Sequence, residues 1–88
     1  MAEKTFKLQI LTPKKRVFQG EISSLVAPGA LGYLGVLANH APLVTTLTAG
    51  KVTYRDAQGQ ATSVESTGEG FLEVRNNQAR LLADGIAQ

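Results

Sequence analysis

The residues best equipped for chemistry in this chain are one histidine, a set of serines and seven carboxylates. His40 is the only histidine, and Ser23, Ser24, Ser63, Ser66, Asp56 and Asp84 are the side chains with which it could form a nucleophilic triad. A triad needs a nucleophile, a base and an orienting acid held together. No G-x-S-x-G elbow accompanies these serines, and the chain has no cysteine. His40 therefore reads as a polar loop or interface residue rather than a general base. Glu69 and Glu73, four apart on an expected strand, share a face but lie over ~10 Å apart at about 3.3 Å of rise per residue. Without a pocket around them they read as a solvated face, not an acid–base pair.

Phosphate chemistry fares no better. Gly29, Gly32 and Gly35 fall three apart in "GALGYLGVLANHAP" and do not make G-x-G-x-x-G, and "GEGFLE" lacks the third glycine. No helix is expected after either stretch, as dinucleotide binding requires. In "AGKV", Thr45 and Val52 stand where a phosphate loop needs Gly and Ser or Thr. These glycines read instead as permitting tight turns, bulges and close strand crossings. With no cysteine and one histidine, disulfides, thiolate metal sites and a nitrogen-rich zinc site are excluded, and no cofactor is expected.

Such residues need a scaffold, and the pattern that supplies it is alternation. In "TFKLQIL", Phe6, Leu8 and Ile10 point one way while Lys7 and Gln9 point the other. "RVFQGEISSLVAP" predicts two short strands broken or kinked at Gly20. "APLVTTLT" is rich in β-branched residues, and "GKVTYRDAQGQATSVES" predicts a hairpin turning at "DAQG". "GFLEVRNNQARLLAD" predicts a second hairpin at Asn76-Asn77, residues that tolerate positive φ, with Leu72, Val74 and Leu81 facing inward. The tail "RLLADGIAQ" contains helix formers but is interrupted at Gly85.

Turn signals recur about every 8 to 12 residues, the spacing of a sandwich or barrel. The expectation is one all-β domain over 1–88, a two-sheet β-sandwich of about ten short strands.

At 88 residues, 43% hydrophobic and 18% charged, with a formal charge of +2, the composition is that of ordinary globular protein. Lys and Arg run no longer than "KKR", and the five aromatics are scattered, so nucleic acid is not an expected partner. No apolar run approaches the roughly 20 residues of a membrane span, and the N-terminus does not read as a signal peptide. A soluble, cytoplasmic chain without membrane insertion is expected, one that could still sit on a membrane assembly through another protein. One segment departs from a generic sandwich: "GYLGVLANHAPLVTTL" sets Tyr33, Leu34, Val36 and Leu37 beside His40 and Pro42 in a glycine-rich turn, which suggests a docking surface.

Along its whole length the chain resembles the ε subunit of the bacterial F-type ATP synthase, specifically its N-terminal β-sandwich. The resemblance lies in the opening strand "FKLQIL", the F-x-G step from Phe18 to Gly20, the "GYLGVLANHAPL" segment, and "GEGFLEVRNNQARLLAD". It implies a non-catalytic subunit of the rotating central stalk. One side would pack on the γ subunit and one end on the c-ring, coupling proton-driven rotation to ATP synthesis and touching the α/β hexamer only indirectly.

Carried over by position, the c-ring contact falls on Gly32, Tyr33 and Leu34, with His40 nearby and presented to the same ring. The γ contact falls on Thr12, Pro42, Val44 and Thr45. Location as a peripheral component on the cytoplasmic face of the bacterial inner membrane follows. The chain departs from the family pattern in having Tyr33 where an acid is frequent and Ala38 where proline is usual. It also ends at Gln88, where many members continue into a helical hairpin, so hairpin-mediated inhibition and ATP binding are not expected. The alternative from another class is a stand-alone β-sandwich module binding a carbohydrate or peptide.

Overall fold

The computed structural model describes residues 4–87. They form ten strands: β1 (Phe6–Leu11), β2 (Arg16–Ile22), β3 (Ser24–Gly29), β4 (Gly32–Leu37), β5 (Leu43–Leu47), β6 (Gly50–Arg55), β7 (Ala61–Ser66), β8 (Gly70–Arg75), β9 (Gln78–Ala83) and β10 (Ile86–Ala87). No helix occurs among the described residues.

The strands follow the order β10-β7-β6-β3-β5-β8-β9-β1-β2, with β4 on β3. Two half-sheets result. One is β10-β7-β6-β3-β4 and the other is β5-β8-β9-β1-β2. They are joined through a single residue pair, Gly29 with Leu47, so the sandwich is one sheet folded over and nearly a barrel. This is the two-layer all-β architecture that the alternation implies.

Inward positions from both halves fill the core. Phe6, Leu8 and Ile10 of β1, Leu72 and Val74 of β8, and Leu81 of β9 meet Leu25, Val36, Val52 and Val64 from the other half. Each such side chain contributes roughly 1.5–3 kcal/mol on burial. Tyr54 joins them, its ring 4.4 Å from that of Phe18 and tilted by 35°.

The turns behave as their residues require. Asn76 and Asn77 have φ of 52° and 58°, the paired positive values of a two-residue hairpin that matches the strand twist. At the "DAQG" turn, the Asp56 carboxylate accepts from the N–H groups of Gln58 and Gln60, both at 2.9 Å.

One expectation is corrected. The ladder does not break at Gly20, which pairs with Leu8 inside a continuous β2. Gly20 is instead bare because the Phe18 ring lies over it, with Cζ 3.0 Å from where a Cβ would stand. The break comes at Ser23, where the chain passes from one half-sheet to the other. Buried Ser23 secures that corner with its N–H on the Arg55 carbonyl at 2.7 Å and its hydroxyl on the Asp56 carbonyl at 3.0 Å. The tail takes no helical form, in keeping with the interruption expected at Gly85. Ile86–Ala87 pairs antiparallel with β7.

Candidate partner-binding surfaces

The residues best equipped for chemistry are dispersed, as the sequence reading has them. The His40 Nδ1 lies 2.7 Å from the carbonyl of its neighbour Ala41, with no serine or carboxylate among its hydrogen-bond partners. Ser23 and Ser66 are buried in bonds to backbone carbonyls, and Ser63 pairs with Thr53. Glu69 precedes β8, while Glu73 stands directly across from Arg80. Among the described residues no three of His, Cys, Asp and Glu converge in a metal-binding group. What the fold assembles is surface.

The first surface is the tip of the β3–β4 hairpin. Gly29 pairs with Gly32, leaving Ala30-Leu31 as the loop, and Gly32 turns the chain back with φ of 128°. Leu31 is fully exposed at 106%, the most prominent apolar side chain of the described residues. Tyr33 behaves differently. It pairs with buried Pro28 on β3, and its hydroxyl accepts the backbone N–H of Lys51 on β6 at 3.0 Å. Gly50 makes this approach possible, since a Cβ there would stand 2.7 Å from the Tyr33 hydroxyl and 2.9 Å from the Pro28 Cβ. The ring thus lies along the sheet rather than standing off the tip. Leu34, one residue on, is half-buried against the core.

His40 does not share this end of the molecule, which corrects its expected grouping with Gly32, Tyr33 and Leu34. The whole of β4, about 16 Å at ~3.3 Å per residue, separates Gly32 from the turn that carries it. In that turn the His40 N–H donates to Leu37 and Asn39 takes a φ of 64°. Asn77 fastens the loop. Its Oδ1 accepts from the Asn39 N–H at 2.7 Å and its Nδ2 donates to the Thr5 carbonyl at 3.0 Å. His40 therefore borders the β8–β9 turn, at the far end of the sandwich from Leu31.

The second surface is the outer face of β5-β8-β9-β1-β2. The registers align Thr46, Phe71, Leu82 and Leu11 in one row across four strands. Phe71 is 54% exposed, and Val44, one step along β5, is 72% exposed. The adjacent rows are polar. Glu73, Arg80, Gln9 and Gln19 form one, and Arg75, Gln78, Lys7 and Glu21 the next. Together they floor a groove of about 710 Å³. An apolar strip beside a charged groove on one flat face has the make-up of a protein interface.

Of the residues expected at a γ contact, Val44 lies on this face, and Thr12 sits just past Leu11 with its hydroxyl engaged in the β1–β2 turn. Pro42 is exposed immediately before β5. Thr45 alternates to the opposite side of β5 from Val44, on the side of core residue Leu47. Phe71, Leu82 and Leu11 went unselected in the sequence, although the signal was present. Where two apolar residues adjoin in a strand and one is core, the other must face out.

Comparison with known proteins fits this description. Residues 5–88 match the family described as the ATP synthase, Delta/Epsilon chain, beta-sandwich domain. The chain is 48% identical over 84 residues to the ATP synthase epsilon chain of Pelotomaculum thermopropionicum, a match covering 96% of this chain and 61% of that one. It is 40% identical over 86 residues to the ATP synthase epsilon chain of Chlorobium limicola, covering 98% of this chain and 97% of that one. The chain thus spans about three-fifths of the first relative and nearly all of the second.

Among solved structures, a chain of the Euglena gracilis mitochondrial ATP synthase OSCP/F1/c-ring assembly superposes with a TM-score of 0.88 at 18% identity, covering 94% of this chain and 52% of that one. A chain of the Tetrahymena thermophila mitochondrial ATP synthase central stalk and c-ring gives 0.78 at 14% identity, covering 98% and 68%. At such identities the likeness is one of fold. With the family match spanning nearly every residue and two relatives at 40% identity or more, the chain belongs to the ATP synthase delta/epsilon β-sandwich family.

Proposed function

We propose that this chain is a non-catalytic central-stalk subunit of an F-type ATP synthase, held between a γ subunit and the c-ring and helping to couple proton-driven rotation to ATP synthesis. The observation that carries this is the match of residues 5–88 to the delta/epsilon family. The absence of any assembled nucleophile, acid–base pair or metal cluster among the described residues accords with a coupling role rather than a catalytic one. No described helix is long and apolar enough to cross a membrane. As a stalk subunit of that enzyme it would be peripheral, on the cytoplasmic face of the bacterial inner membrane.

Two surfaces take two partners. The β3–β4 tip addresses the c-ring through Leu31, Gly32 and Leu34, with Tyr33 as the brace behind it. The outer face of β5-β8-β9-β1-β2 addresses γ through Val44, Phe71, Leu82 and Leu11, flanked by Thr12 and Pro42. His40 borders that same face. An apolar strip suits an interface that must stay closed through many turns of a rotor.

The deciding experiment is purification of the tagged full chain from membranes of its host. Recovery of γ and the c-ring supports the role, as does loss of ATP-driven proton pumping when the subunit is removed. A chain that fails to retain γ at physiological salt refutes it.

A further inference from the structure

The apolar strip explains adhesion, but the groove beside it carries charge that the fold leaves partly uncompensated. Glu73 stands directly across from Arg80, and Glu21, whose carboxylate accepts the Thr5 hydroxyl at 2.6 Å, directly across from Lys7, so each of these four charges faces one of opposite sign. Arg16 and Arg75 have no such match. Arg16 stands across from Leu11, and Arg75 across from Gln78. Both guanidiniums line the groove, and both residues are exposed. They sit three strand spacings, about 14 Å, apart across the sheet and four residues, about 13 Å, apart along it, on opposite sides of these pairs.

From this geometry we infer that the partner surface seated on this face is acidic where it meets the groove, with carboxylates placed to reach Arg16 and Arg75, and apolar where it meets Phe71 and Leu82. The inference rests on the γ-docking role proposed above and specifies the chemistry that γ must present there. The groove is continuous with the apolar strip through the neighbouring rows of the same strands, so a partner lying on one lies over the other. The remaining positive charge makes a field that attracts an acidic surface before contact, which raises the association rate more than it slows dissociation.

The test is association of the full chain with its cognate γ subunit, followed by surface plasmon resonance from 50 to 500 mM salt. The association rate is expected to fall at least about tenfold over that range, as screening shortens the reach of the charges. The double variant Arg16→Glu/Arg75→Glu should associate about tenfold more slowly at low salt and lose most of the salt dependence, with its dissociation rate within about twofold of the parent. Phe71→Ser should do the reverse, speeding dissociation while leaving the salt dependence intact. Arg55→Glu, on the other half-sheet, is the control for net charge and is compared with Arg16→Glu and Arg75→Glu made singly.

A salt-independent association rate overturns the inference while leaving γ binding in place. So does an equal loss in Arg55→Glu. If the parent chain does not bind γ at all, the central-stalk role itself fails and the inference falls with it.

Discussion

The phenolic oxygen of Tyr33 accepts the backbone N–H of Lys51 at 3.0 Å, which ties the β3–β4 hairpin to β6 across the outer face of one half-sheet. The ring lies on Pro28 and over the bare backbone of Gly50. Tyr33→Phe keeps the packing and deletes the acceptor. It should cost about 0.5–1.5 kcal/mol in urea unfolding, toward the low end because the site is exposed, and should speed amide exchange at Lys51. Unchanged Lys51 exchange would count against the brace.

Leu31 at the hairpin tip contacts nothing that a folded monomer needs. Leu31→Ser should leave the stability of the isolated domain within about 0.5 kcal/mol. In the assembled enzyme it should reduce ATP-driven proton pumping, whereas Tyr33→Phe, which leaves the tip side chain in place, should reduce it less. Equal pumping by Leu31→Ser and the parent would remove the tip from the c-ring contact.

Phe71 and Leu72 are adjacent in sequence and opposite in role, at 54% and 0% exposure. Leu72→Ala should cost about 2–5 kcal/mol in a denaturant titration, through lost transfer energy and the cavity left behind. Phe71→Ala should cost under about 1 kcal/mol and should instead weaken retention of γ. Comparable destabilisation by the two would mean that Phe71 belongs to the core.

Gly70 admits no side chain, because a Cβ there would lie 2.0 Å from the Leu82 carbonyl oxygen and 3.0 Å from the Ala83 Cα. Both obstacles are backbone of the paired strand, so relief requires β8 and β9 to part. Gly70→Ala should cost about 3 kcal/mol or prevent folding outright, which thermal unfolding or expression as soluble protein would register.

Burial raises the pKa of Tyr54 above its ordinary value of 10.0, opposed in part by a side-chain hydrogen bond with Thr62. The folded state therefore holds this proton after the unfolded state has released it. Stability should be intact below pH 10 and fall as pH rises past it. Tyr54→Phe should flatten that alkaline decline, as unfolding free energies measured between pH 8 and pH 11 would show. An equally steep decline in the variant would assign it to other groups.

Most of the fold was legible because the strands alternate cleanly. Phe6, Leu8 and Ile10, and likewise Leu72, Val74 and Leu81, fall inward where period two puts them, and the Asn76-Asn77 turn follows from residues that accept positive φ. Less legible were features that depend on distant neighbours. Gly20 looks like a strand breaker until the Phe18 ring is seen to occupy the space above it. Ser23 looks unremarkable until its bonds to Arg55 and Asp56 show that it turns the chain between half-sheets. The site residues were hardest for the same reason. His40 is eight residues from Gly32 in sequence, yet a strand running straight carries it to the other end of the molecule, where Asn77 fastens its loop. Proximity along an extended strand is distance in space.

The parallel pairing of β1 with β9 sets an order of events. Lys7 lies beside Gln78 and Leu11 beside Leu82, so β1 has as one neighbour a strand synthesised long after it. Only β2 can join β1 early, and a lone two-stranded ribbon is marginal in water. The half-sheet that carries the apolar strip and the groove therefore closes only once the C-terminal hairpin has emerged, and such non-local closure is slow. Until then the apolar side chains of β1 and β2 remain exposed. A nascent chain arrested before Asn76 should thus be readily proteolysed, and the surface proposed to meet γ should become competent only once β9 has emerged.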